Sequence, residues 1–127
     1  MIQSGSNRKI RVCTVDQIPA GSARGFEIAT DRGKRSVVVV SYQGGYVAYI
    51  NSCPHTGVSL DWMPDQFLDS SGTLLQCATH GALFRIEDGL CIYGPCLNRS
   101  LTALPTTVEG SDLYLLVQTP DQSARNL

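Results

Sequence analysis

An all-β fold, an antiparallel sandwich or small barrel, is predicted by three features of this 127-residue sequence. Short apolar segments recur at close intervals, turn residues such as Gly, Pro, Asp and Asn stand between them, and only one stretch has room for a helical turn. The chain is long enough for one domain with its own core.

The elements follow in order. Ile10, Val12 and Thr14 alternate with charged or small residues, as in a half-buried strand, and Pro19-Ala20-Gly21 ends it. Residues 26–29 and 36–42 read as strands about a turn at 31–34, and Gln43-Gly44-Gly45 returns the chain into 46–51. That hairpin delivers Cys53 at its end. Beyond residue 72 the same pattern gives strands at 73–76, 82–86, 90–93, 101–104, 106–108 and 113–118, with turns at Glu87-Asp88-Gly89 and Gly110-Ser111. Residues 59–68 are the one candidate for a helical turn, and Pro64 interrupts it. Residues 1–7 and 119–127 are expected to be flexible termini flanking a single domain at 8–118.

Composition excludes several classes. With 43% hydrophobic and 17% charged residues and a mean hydropathy of -0.02, the chain is globular rather than disordered. Its longest aliphatic run, the four valines at 37–40, is far short of the ~20 residues of a membrane helix, so no membrane contact is expected. The first seven residues lack a secretory pattern, which points to the cytoplasm. Five cysteines, an odd number, argue for metal or redox chemistry over a secreted disulfide framework. Net charge is -1 but uneven: residues 1–35 hold seven Lys/Arg against three Asp/Glu, and residues 36–127 hold three against eight. Nucleic acid is a poor partner for the acidic part. The simplest reading is solvated faces of opposite average charge, and the functional one is an acidic surface for a basic redox partner.

Both histidines of the chain sit beside a cysteine, in Cys53-Pro54-His55-Thr56-Gly57 and Cys77-Ala78-Thr79-His80. In extended chain residues i and i+2 point the same way, and i and i+3 converge across a tight turn. Each pair can therefore aim a sulfur and a nitrogen at one point, and two neighbouring loops can bring all four together. One such pair is readily an accident. Two pairs that use every histidine indicate a metal site. Zinc accepts this donor set, but its usual spacing groups the cysteines in one arm and the histidines in the other. Here each arm carries one of each, and a structural zinc domain is the lesser alternative.

The paired loops CPHTG and CATHG resemble the cluster-binding loops of the Rieske-type 2Fe-2S ferredoxin family. The resemblance extends to the hairpin before the first loop, to Gly94-Pro95 in the place of the family's third, proline-containing loop, and to the closing strands, over roughly residues 8–118. It implies a Rieske-type antiparallel β sandwich with a small cluster-binding subdomain of about residues 52–97 and one 2Fe-2S cluster. Cys53 and Cys77 would bind the inner iron and His55 and His80 the outer one. It also implies a cytoplasmic, monomeric electron-transfer protein rather than an enzyme, passing single electrons from a reductase donor to an oxygenase or other acceptor. A small Rieske subunit of a larger oxidoreductase, as in nitrite reductases, is the alternative.

Replacing two thiolates by neutral imidazoles removes negative charge and places such clusters between roughly -150 and +300 mV. Rieske subunits of cytochrome bc complexes carry a further cysteine in each loop, where this chain has Val58 and Thr79. They also carry a serine and a tyrosine that donate hydrogen bonds to sulfur, where this chain has Ala82 and Phe84. The resemblance therefore implies a potential near or below zero.

Cys91 and Cys96 flank Ile92-Tyr93-Gly94-Pro95, a spacing that allows a small disulfide, though two partly buried thiols are expected in a reducing compartment. Cys13 reads as core. Trp62, Met63 and Phe67 read as a satellite core beneath the cluster loops, or alternatively as a docking patch.

Overall fold

The computed structural model describes residues 7–30, 33–52, 60, 67–69, 71–77 and 81–118. Among them are ten strands: β1 (Asn7–Thr14), β2 (Ala23–Thr30), β3 (Gly33–Tyr42), β4 (Gly45–Ile50), β5 (Leu74–Gln76), β6 (Leu83–Arg85), β7 (Cys91–Tyr93), β8 (Ala103–Leu104), β9 (Thr106–Glu109) and β10 (Asp112–Gln118). A 3-10 turn at Val15–Gln17 follows β1. The strands form three antiparallel sheets, ordered β1-β10-β9, β2-β3-β4-β8 and β5-β6-β7.

The valine run explains the layering. Strand side chains alternate, so Val37 and Val39 join Ala48 on one face of the middle sheet, and Val38 and Val40 join Tyr49 on the other. The first face, with Ile28 of β2, packs on the β1-β10-β9 sheet through Cys13, Leu113 and Leu115. The second packs on the small sheet through Leu75, Phe84 and Cys91. A strand covered on both sides needs apolar residues at successive positions, and all four valines are at most 1% exposed. Burial of each contributes roughly 1.5–3 kcal/mol. Cys13 is core, as its position in the sequence implied.

Several boundaries differ from the sequence reading. β2 starts at Ala23, before the apolar stretch 26–29, because its whole length pairs with β3 from Ala23 opposite Val40 to Thr30 opposite Gly33. β8 spans only two residues of the expected 101–104, and Pro105, with no amide to donate, ends it. Of the candidate helical turn at 59–68 only three residues are described. Leu60 and Phe67 are buried, and Leu68 bridges Leu75. Phe67 thus joins the core under the small sheet, while Trp62 and Met63 lie outside the described residues. Among the described residues no helix is long and apolar enough to cross a membrane.

Candidate metal centre

The two segments that carry the Cys/His pairs leave the core at defined points. β4 ends at Ile50, and the next residue, Asn51, is one of the two buried polar residues among those described. Its backbone amide donates to the Ser36 carbonyl at 2.9 Å and its Nδ2 donates to Ser36 Oγ at 3.1 Å. Its Oδ1 accepts the amide of the fully buried Leu60 at 2.7 Å. One side chain therefore fixes both ends of the segment that carries Cys53 and His55. Those two residues, like His80, lie outside the described residues.

The second segment leaves β5 at Cys77, which is fully buried. Its amide donates to the Ala82 carbonyl at 2.8 Å, and the Gly81 amide donates back to the Cys77 carbonyl at 2.7 Å. Gly81 adopts φ +69°, a conformation that glycine reaches without steric cost. The connection from β5 to β6 is closed at its base, with the Cys77 side chain packed in the core shared by the middle and small sheets.

A third segment meets the second. Gly94, at φ +108°, lies against Ala82, just before β6, so closely that a β carbon there would stand 2.8 Å from Ala82 Cα. Only glycine permits this approach. β7 shifts register against β6 between the pairs Leu83/Tyr93 and Phe84/Cys91, leaving Ile92 without a partner in the ladder. Such a bulge breaks the alternation of side chains, and Ile92 and Tyr93 are both exposed, as is Leu97.

Beneath these segments the turn between β6 and β7 is tied to the middle sheet. The buried Tyr49 hydroxyl donates to the Ile86 carbonyl at 2.6 Å. Burial, with the negative charges of Asp88 and Glu87, pushes the phenol up to about 12, so it stays a donor at neutral pH. Ahead of β5, Asp69 organises another turn. Its carboxylate accepts from Ser71 Oγ and from the amides of Thr73 and Leu74, and its own amide donates to the Leu74 carbonyl. Burial acts to raise its pKa, but these bonds and the Gly72 amide together hold it below the usual carboxylate value.

Ala82 and Phe84 are both fully buried in the core that holds Cys77. Neither side chain can donate a hydrogen bond there. Cys91 and Cys96 are buried thiols in the same core, 3.1 Å apart between sulfurs, and are not bridged. The roles of Asn51 and Gly94 were not read from the sequence. An asparagine directly after an apolar strand and before a ligand loop is a signal for such a clamp, since its amide both donates and accepts.

Residues 8–119 match the Rieske 2Fe-2S domain. Over 106 residues the chain is 34% identical to the ferredoxin component of the alkene monooxygenase system of Xanthobacter autotrophicus, covering 84% of this chain and 79% of that protein. It is 27% identical over 106 residues to the ferredoxin subunit of 3-phenylpropionate/cinnamic acid dioxygenase of Photorhabdus laumondii, covering 84% and 91%. Its fold is similar to that of the ferredoxin of carbazole 1,9a-dioxygenase from Nocardioides aromaticivorans IC177, with a TM-score of 0.67, 24% identity, and coverage of 89% and 98%. The three-sheet β architecture and the match over nearly the whole length agree: the chain belongs to the Rieske 2Fe-2S domain family, and the cofactor of that domain is a single 2Fe-2S cluster.

Proposed function

We propose that this chain is an electron carrier that takes single electrons from a reductase and delivers them to a terminal oxygenase in the cytoplasm, with no substrate of its own. The cluster, when bound, supplies the one-electron couple. In this reading residues 8–118 are one Rieske domain with a cluster-binding part at about 52–97, Cys53 and Cys77 hold the inner iron, and His55 and His80 hold the outer one. The observation that carries it is the division of donors, one cysteine and one histidine in each of two segments, the first closed by the Leu60 amide on Asn51 and the second by the backbone bonds of the buried Cys77 to Ala82 and Gly81. This donor set fits irons of unlike ligation better than one tetrahedral zinc. The curated relatives named above are ferredoxin components of a monooxygenase and a dioxygenase, which supports an oxygenase as acceptor.

The chain's own residues set the environment. Burial of Cys77 keeps one thiolate ligand away from water. The absence of a donor at Ala82 and Phe84 withholds stabilisation from added negative charge, which favours a low potential. Exposed Ile92, Tyr93 and Leu97 flank the third segment and offer an apolar surface to an acceptor. The test is visible absorption and EPR of the purified protein before and after dithionite, with iron and zinc analysis. Two irons per chain and a reduced-state EPR signal are expected. A colourless protein containing zinc alone overturns the reading.

A further inference from the structure

We propose that Cys91 and Cys96 form an oxidative modification site, closing to an intramolecular disulfide when a peroxide is the oxidant. This goes beyond the electron-carrying role and does not depend on it. The two sulfurs lie 3.1 Å apart, with Cys96 Sγ donating to Cys91 Sγ. They face each other because the backbone around them is already closed. The Cys91 amide donates to the Arg99 carbonyl at 2.8 Å, the Asn98 amide to the Cys91 carbonyl at 3.1 Å, and the Arg99 amide to the Cys96 carbonyl at 2.8 Å. The Leu97 amide donates to the Gly94 carbonyl at 3.2 Å and turns the chain between the two cysteines. Reaching a disulfide length of about 2.05 Å requires the sulfurs to approach by roughly 1 Å, a side-chain adjustment within a fixed frame.

Burial selects the oxidant. Cys91 is 0% and Cys96 1% exposed, which excludes bulky protein or glutathione disulfides and leaves a small peroxide, whose route to the sulfurs passes the exposed Pro95 and Leu97 on either side of Cys96. The chemistry balances with peroxide as the two-electron oxidant. One cysteine sulfur attacks the O–O bond, giving a sulfenic acid and one water. The second sulfur displaces the hydroxyl group as another water, forming the S–S bond. Both thiols are thereby oxidised and the peroxide is reduced. Neither cysteine belongs to the four proposed ligands, and the bridge leaves those in place. The Gly94 approach to Ala82 ties the same turn to the closure of the Cys77 segment. The disulfide therefore locks the turn on which that segment rests.

The test uses the intact protein with its cluster. Hydrogen peroxide is added in small excess, the visible spectrum is followed, and the protein is denatured with an alkylating agent and digested with trypsin. Cleavage after Arg85 and Arg99 places both cysteines in one peptide. The expected result is a peptide that has lost two hydrogens and taken up no alkyl groups, formed while the visible spectrum is unchanged, with Cys13 alkylated. The Cys96→Ala variant, or Cys91→Ala if the first does not fold, should lose that product. Two alkylated cysteines after treatment, a cross-link to any other cysteine, or a bridge that appears only as the spectrum bleaches would each overturn the proposal.

Discussion

The Asn51 side chain accepts the Leu60 amide at 2.7 Å and donates to Ser36 Oγ at 3.1 Å, so the segment bearing the first pair of proposed ligands is held at both ends by one residue. Asn51→Ala leaves the buried Leu60 amide without its side-chain acceptor, a loss of about 1–3 kcal/mol. The expected outcome is a lower melting temperature and several-fold faster iron release to a chelator, followed by loss of visible absorption. Asn51→Asp keeps the acceptor facing Leu60 and should fall between wild type and Asn51→Ala. Equal iron release in all three would show that the clamp does not support the site.

Gly94→Ala probes the approach of the third segment to Ala82. The added carbon would meet Ala82 Cα at 2.8 Å, and the backbone at φ +108° is one that L residues rarely adopt. Steric and conformational costs combine to about 2–4 kcal/mol. Gly72→Ala is the matched control. Gly72 is also at positive φ, +75°, but an added β carbon there meets nothing within 4 Å, so only a conformational cost of about 1 kcal/mol remains. Denaturant unfolding should rank the two variants in that order, and only Gly94→Ala should alter the EPR g values of the reduced protein.

These two residues also mark how far the sequence could be read. The proposed ligands Cys53, His55, Cys77 and His80 stand out in the sequence because they form a pattern by type and spacing that few other functions would produce. The four-valine run made β3 legible, since a strand buried on both faces keeps apolar residues on both. The clamp was not legible. It depends on Leu60 lying beside a residue nine positions earlier, and on Ser36 meeting Asn51 across paired strands. Likewise, nothing in the residue types near Gly94 shows that Ala82 lies against it. The 3-10 turn at Val15–Gln17 carries no side-chain cap to signal it. Local patterns report periodicity and donor chemistry, while contacts made only on folding leave weak traces in them.

Asp69 sets an acid limit on stability. Its hydrogen bonds lower its folded pKa below that of an ordinary aspartate, so the unfolded chain takes up that proton more readily than the folded one. The stabilisation is therefore complete above the unfolded value and fades as pH falls through the depressed folded value. Asp69→Asn removes the charge and, with the site largely open to water, should cost about 0.5–1 kcal/mol near neutral pH. Urea unfolding of both proteins should show a constant difference down to about pH 5 and a shrinking one below about pH 4. A difference that grows on acidification would contradict the assigned direction.

The redox potential is the sharpest prediction for the centre itself. Ala82 and Phe84 occupy fully buried positions in the core around Cys77, and neither presents a hydroxyl to sulfur. Without such donors, added negative charge is poorly stabilised, and the midpoint should lie near or below zero within the Rieske span of roughly -150 to +300 mV. A spectroelectrochemical titration reads this directly, and a midpoint above about +150 mV would be incompatible with it. Phe84→Tyr adds a hydroxyl to the ring in a packed position, so it should raise the midpoint where the hydroxyl reaches sulfur, at some cost in stability from overpacking. His80→Cys exchanges a neutral ligand for an anionic one and should lower the midpoint in whatever fraction still assembles a cluster. An unchanged midpoint in that fraction would remove His80 from the ligand set, and with it the assignment of the outer iron to the two histidines.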